Sequence, residues 1–317
     1  MSKITVYSLE QIKGALTNRD EIIEAIEKCF ISYTDGNGVT PPAGFLPCGA
    51  GDAMIKYGMI NGDSTFTLKV ATSFSGNEAK GLPNSSGIFV VFNAETGFAE
   101  AVLADEGYLT SVRTAAAGAA AAKYLAPKNV SAIGIIGTGN QARRQLSWLS
   151  AVTDCKEVFV YGRTHEKAIA YCQDMTYEGF SMHVAEDIKE ITEKCNLIVT
   201  TTKSTEPWLF AEDIRPGTHI TCMGADEPGK NEVDASVFGK ADLIVNDSIK
   251  QCTHEGDTVY AVNAGLVKVE DIVELGEMFA GKKPGRTGED QITIADLTGV
   301  AVQDVAIAGI VLKALRG

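Results

Sequence analysis

Apolar and polar positions follow two different periods along this chain. In NRDEIIEAIEKCFISYTDG, Ile22, Ile23, Ile26 and Phe30 recur at helical spacing, and Gly36 lies beyond the end. The next segments alternate with the period of a strand. DAMIKYGMI-NG-DSTFTLKVATSF predicts a hairpin turning at Asn61-Gly62, and GIFVVFNAETGFAEAVLAD predicts a second around Glu95, Thr96 and Gly97. TSVRTAAAGAAAAKYLAP predicts a helix stopped before Pro127, with an Ala/Gly run that permits close packing. Beyond it the texture changes. AIGIIG, EVFVYG, NLIVTTT, HITCMGA and DLIVNDS are short continuous apolar runs separated by helical segments. Such runs belong to a parallel sheet covered on both faces, so the fold class is α/β with a doubly wound domain over 129–290. The end, ITIADLTGVAVQDVAIAGIVLKALRG, predicts a strand or loop and then a long apolar helix free to return onto the first domain.

AIGIIGTGNQARRQL places a Gly-x-Gly-x-x-Ala turn between a strand and a helix. In that setting Gly137 permits the tight turn, Gly139 lets the backbone approach a pyrophosphate, and Ala142 allows close helix–strand packing. Thr138, Asn140 and Gln141 complete the turn, and the helix start offers N–H groups to phosphate. The next strand decides the ribose. Where an NAD site carries Asp or Glu, this chain reads VFVYGRT, with Gly162 at the acidic position and Arg163 and Thr164 after it. A guanidinium without a carboxylate favours a 2′-phosphate, hence NADP(H) over NAD(H). Thr201 and Met223, at the ends of two further apolar runs, complete the expected cofactor contacts.

Composition narrows the partners. A formal charge of −13 over 317 residues argues against nucleic acid. Seven cysteines without a C-x-x-C pair read as reduced thiols, and four histidines show no metal-site spacing. The polar start and the lack of a long apolar run argue against a membrane and for the cytoplasm.

Cations stand where an anion would sit. Arg113 falls in the first turn of its helix, with Thr110 or Ser111 as cap; a cation there opposes the helix dipole at modest cost, as a surface arginine does, unless a bound anion reverses the sign. A two-residue turn at Asn61-Gly62 pairs Ile60 with Asp63, Lys56 with Thr67 and Met54 with Lys69. That makes Lys56 and Lys69 diagonal neighbours on one face, and turns Ile55, Phe66, Leu68 and Val70 towards the core. Asp226, in CMGADEPGKNEVD, follows a parallel strand, where ligands bind in such sheets.

LKVATSFSGN, GLPNSSG, DEGYLTSVRTAAAGAAAAKYLA, GIIGTGNQAR, GADEPGKNEVD and IADLTGVAVQD, in this order over nearly the full length, resemble the ornithine cyclodeaminase/μ-crystallin family. The likeness is greatest to its bacterial ectoine-utilisation and iminosuccinate-reductase-like members. The resemblance implies a Rossmann domain (129–290) and a discontinuous α+β domain (1–128 and 291–317) that binds substrate and forms a homodimer. It also implies a nicotinamide cofactor and a small imino-acid, amino-acid or 2-oxo-acid substrate. By motif, Lys69 matches the active-site lysine, Arg113 the carboxylate-binding arginine, Asn84 a polar substrate contact, and Asp226 the catalytic aspartate. Lys56 is a further carboxylate anchor, and Thr298 and Gly299 fall beside the nicotinamide. Ala43, in TPPAGFLP, stands where the family often has a second carboxylate-binding arginine, which argues against a plain ornithine cyclodeaminase. The implied reaction is hydride transfer between the nicotinamide and the α-carbon of an iminosuccinate-, alanine-, cyclic-ketimine- or opine-type substrate. The alternatives are an ammonia lyase that recycles its cofactor, and a non-catalytic NADP-dependent ligand-binding protein.

Overall fold

The first hairpin sets the register of the N-terminal sheet, and its loop has four residues. In a computed structural model that describes residues 4–317, the strands and helices run β1 (Thr5–Tyr7), α1 (Leu9–Ala15), α2 (Arg19–Thr34), β2 (Gly38–Val39), β3 (Gly44–Pro47), β4 (Asp52–Ile60), β5 (Thr65–Ser73), β6 (Ser85–Asn93), β7 (Ala99–Leu103) and α3 (Tyr108–Leu125). The sheet order is β1-β7-β6-β5-β4-β2, with β3 also on β4, and every pair is antiparallel except β1 with β7. Met59 pairs with Phe66 and Lys56 with Lys69. The two-residue turn at Asn61-Gly62 is therefore corrected. Hydrogen bonds at 2.8 Å, from Asn61 N to Asn37 O and from Ala94 N to Ser64 O, hold both ends of the loop to neighbouring segments. Lys56 and Lys69 thus face each other directly rather than diagonally.

The core side is corrected too. Lys56, Thr67 and Lys69 are buried on the face that also carries Phe89 and Val91, and α2 packs on β4. Ile55, Phe66, Leu68 and Val70 lie half-buried on the outer face. There Phe66 and Phe92 stack with ring centroids 4.9 Å apart.

The helix α3 begins earlier than the Thr110/Ser111 cap predicted. Asp105, fully buried, accepts from Leu109 N through its side chain at 2.8 Å and from Tyr108 N through its carbonyl at 2.9 Å. Arg113 consequently sits in the second turn. The dipole argument, which concerns the first turn, does not apply to it.

The second part runs β8 (Ile133–Ile136), α4 (Asn140–Leu149), β9 (Glu157–Tyr161), α5 (His165–Thr176), β10 (Ser181–Val184), α6 (Ile188–Lys194), β11 (Leu197–Thr200), β12 (His219–Cys222), α7 (Ala235–Lys240), β13 (Leu243–Asn246), α8 (Ile249–Cys252), α9 (Thr258–Asn263), β14 (Val273–Glu274), α10 (Leu275–Phe279) and β15 (Thr293–Asp296). All eight strands are parallel, in the order β10-β9-β8-β11-β12-β15-β13-β14. Alternate residues feed two cores. Ile133, Ile135, Leu197 and Val199 pack with Leu146 and Tyr171 on one face; Ile136, Ile198, Ile220 and Ile294 pack with Ile191 and Phe238 on the other. A sheet buried on both sides explains why its strands read as unbroken apolar runs.

The last helix, α11 (Ala301–Arg316), packs on α1, α2, β4 and β5. The chain divides into one unit ending at Thr114 and resuming at Val300, and a second from Ala115 to Gly299. The first boundary falls inside α3, and β15 belongs to the second unit's sheet. Among the described residues, no helix is long and apolar enough to cross a membrane.

Candidate active site

Two groups of residues carry the chemistry, one in each unit. In the first, the pleat points Lys56 and Lys69 inward from adjacent strands, and like charges placed directly opposite repel. Arg113, one helical turn beyond the buried Leu109, joins them. All three side chains are buried: Lys56 is 8% exposed, Lys69 2% and Arg113 5%. Asp304 on α11 answers them. Its Oδ2 lies 2.8 Å from Lys69 Nζ and its Oδ1 accepts from Arg113 Nε at 3.1 Å. Beside it, Gln303 Oε1 accepts from Arg113 Nη1 at 3.0 Å and from Val300 N at 2.9 Å.

Burial pushes Lys69 down to about 7. Asp304 opposes that shift, while Arg113 and Lys56 add to it. For Asp304, burial acts upward, but Lys69 and Arg113 outweigh it and hold the carboxyl below its ordinary range. Asp105 is pushed up by its own burial, towards the neutral acid. Lys69 and Arg113 thus share one ionised carboxylate, with Lys56 on the neighbouring strand beside them.

The second unit builds its group along one sheet edge, because parallel strands all end on the same side. Strand order reverses at β8 and β11: β8 leads outward to β9 and β10, β11 to β12 and beyond. That is the topological switch point of a doubly wound sheet. Gly137 follows β8 with φ 122°, and a Cβ there would collide with Thr201 Oγ1. Gly139 precedes α4, faces open space, and leaves the helix without a side-chain cap. An uncapped helix start behind a glycine is a phosphate cradle, so the residues present fit a dinucleotide. Thr138, Asn140 and Gln141 belong to this turn. Arg143 Nη1 braces it by donating to Thr138 O at 2.5 Å and Gly139 O at 3.4 Å.

The remaining cofactor candidates occupy the same edge. Gly162, Arg163 and Thr164 follow β9, Thr201 follows β11, Met223 follows β12, and Thr298 and Gly299 follow β15. Asp247 fixes the last pair, accepting from Thr298 Oγ1 at 3.1 Å and Gly299 N at 2.6 Å.

Asp226 lies in the loop after β12, half-exposed and ion-paired with Lys230. Glu232 anchors this loop from within. It is fully buried and accepts from Thr200 Oγ1 and Gly224 N, both at 2.7 Å, and from Thr202 N. Asn84 is exposed, and its side-chain oxygen accepts from Glu78 N at 3.1 Å. It supports the turn after β5.

The sequence reading missed Asp304, Gln303 and Glu232. A signal for Asp304 was present: it is the one acidic residue of α11, a helix otherwise almost wholly apolar, and a carboxylate in such a helix needs a cation. Nothing in the spacing marked Glu232. Beneath the edge it belongs to a set of buried acids. Burial raises Glu232 and Asp257, with Asp296 and Glu232 adding to the shift on Asp257. Burial lifts Asp296 to about 7, against its bonds from Thr258. Among the described residues, no group of His, Cys, Asp or Glu could hold a metal.

Fold and site together define a dinucleotide-binding α/β protein with a buried cationic cluster suited to a small anion. The ornithine cyclodeaminase/mu-crystallin family model matches residues 4–317, and the chain belongs to that family. It is 41% identical to the alanine dehydrogenase of Archaeoglobus fulgidus, over 97% of this chain and 94% of that one. An archaeal alanine dehydrogenase dimer with bound NAD superposes with TM-score 0.89 at 38% identity, covering 98% and 95%. The Δ1-pyrroline-2-carboxylate reductase of Thermococcus litoralis, in complex with NADH and L-proline, gives TM-score 0.91 at 28% identity, covering 98% and 97%.

The buried acids make stability fall as pH rises. Asp296 keeps its proton in the folded state up to about 7, whereas the unfolded chain releases it near 4. Stability is therefore full below pH 4 and is lost towards pH 7. Asp296→Asn mimics the protonated acid. Denaturant unfolding should show little change at pH 4 and a gain on the order of 2 kcal/mol at pH 8.

Proposed function

We propose that this protein is an NADP(H)-preferring imine reductase and amino-acid dehydrogenase acting on a small α-imino acid. The observation that carries the reading is the buried cluster of Lys56, Lys69 and Arg113 around a single ionised carboxylate. It offers buried donors to a carboxylate ligand. Asp304 and Gln303 occupy Nε and Nη1 of Arg113, so the guanidinium meets a substrate carboxylate through Nη2, with Lys56 as the second anchor. Lys69 in its ammonium form donates to the carboxylate or imine region and favours the protonated, electrophilic imine. Asp226, ion-paired with Lys230, exchanges a proton with the imine nitrogen. The nicotinamide supplies or accepts the hydride at the substrate α-carbon.

The NADP(H) preference is supported by the end of β9. A Cβ on Gly162 would lie 2.7 Å from Thr138 Cγ2, so the turn disfavours the carboxylate that would select NAD, while Arg163 and Thr164 follow directly. Ala43, just before β3, brings no second arginine to the substrate side, and this favours the reductase over the cyclodeaminase. The half-buried outer sheet face supports a homodimer. Val39, Tyr57, Met59, Phe66, Leu68 and Phe92 line an apolar hollow of about 320 Å³ there. An apolar surface of this kind marks an interface. All seven thiols are unpaired, in keeping with a cytoplasmic setting.

The test is nicotinamide absorbance with an amine and a panel of 2-oxo acids. Oxidation of NADPH should require both. Lys69→Met should lower kcat/KM about 10²–10⁴-fold; unchanged turnover would remove Lys69 from the chemistry. Arg163→Ala should raise KM for NADPH by roughly tenfold and leave NADH unaffected, the loss expected for one charge-assisted phosphate contact.

A further inference from the structure

Asp304 pairs with two members of the cationic cluster, its two oxygens divided between Lys69 and Arg113. Lys69 comes from β5 and Arg113 from α3, so the carboxylate ties a strand and a helix to α11. It is 2% exposed and sits in the first turn of α11, where the helix dipole favours a negative charge. Gln303 bonds the same guanidinium and so fixes its rotation.

We propose that Asp304 is a positioning residue of the substrate site: it fixes the Lys69 ammonium and the Arg113 guanidinium relative to each other and keeps Lys69 protonated for an anionic substrate. The effect on turnover rests on the imine-reductase reading; the effect on Lys69 itself does not.

The groups around Lys69 set the sign. Asp304 on α11 favours the ammonium, and Asp105 at the start of α3 would do so only when ionised. Arg113 on α3 and Lys56 on β4 disfavour it. Cys29 on α2 is held neutral by burial and by the Asp304 charge, and adds none of its own. Removing the Asp304 charge leaves Lys69 among cations alone. Its proton is then lost at lower pH, and activity that needs the ammonium falls on the alkaline side. An opposite charge at this distance is worth about one to three pH units.

The experiment follows Lys69 by 13Cε NMR of lysine-labelled full-length protein, with its signal assigned by loss in Lys69→Met. In Asp304→Asn the Lys69 midpoint should fall by at least about one unit, and Asp304→Glu should restore it. An unchanged midpoint in Asp304→Asn would overturn the proposal. Pairing energies are reciprocal, so a second measurement stands even where Asp304→Asn does not fold. In Lys69→Met the Asp304 13Cγ titration should move up by a similar amount, and its staying in place would equally overturn the proposal. The pH profile of kcat/KM gives the functional arm. In Asp304→Asn the alkaline limb should shift down with the Lys69 midpoint, so that for a one-unit fall the loss at pH 8 exceeds that at pH 6 by about fivefold. A uniform loss at every pH would reduce Asp304 to a structural role. Wild-type inactivity on every imine would refute the proposed function, while the two NMR titrations would still decide the role of Asp304.

Discussion

The first unit depends on one electrostatic constraint: three cationic side chains buried together against one ionised carboxylate. Charge removed from water must find a partner or an occupant. Asp304 supplies that partner for Lys69 and Arg113. The constraint also explains the architecture. The strand pair that carries the lysines turns its polar positions inward, and the C-terminal helix brings the carboxylate back to a sheet made nearly two hundred residues earlier in the chain.

The second unit obeys a different constraint. Its sheet is buried on both faces, so its only free chemistry lies where the strands end. Parallel pairing gathers those ends on one edge, and the reversal of strand order between β8 and β11 opens that edge for a ligand. The loops there are held by buried acids: Asp247 under Thr298 and Gly299, and Glu232 under the loop that bears Asp226. The chemistry of those loops thus rests on buried anchors, and burial raises the pKa of Glu232.

Much of this was legible in the sequence, for reasons that differ by element. The amphipathic stripe of α2 and the apolar runs of the second sheet announce themselves, because burial on one or both faces dictates residue type directly. The glycine turn is equally plain, since only glycine tolerates the backbone of residue 137. The hairpin register was not. Asn61-Gly62 is a strong local turn signal, but hydrogen bonds to segments around Asn37 and Ala94 outweigh it, and no local rule sees them. The buried face was misread for a separate reason: buried lysines are rare enough to be read as surface. Arg113 was singled out on a dipole argument that failed once Asp105, upstream of the expected cap, proved to start α3. Asp304 and Glu232 were missed because their partners lie far away in sequence.

The contact between Gly162 and the Thr138 methyl links two positions that are independent along the chain. An acidic side chain at 162 has no room while Thr138 stands, and shrinking Thr138 alone brings no carboxylate to the ribose. Neither change is useful without the other. Positions 138 and 162 are therefore coupled, and a side chain at one limits what the other can carry.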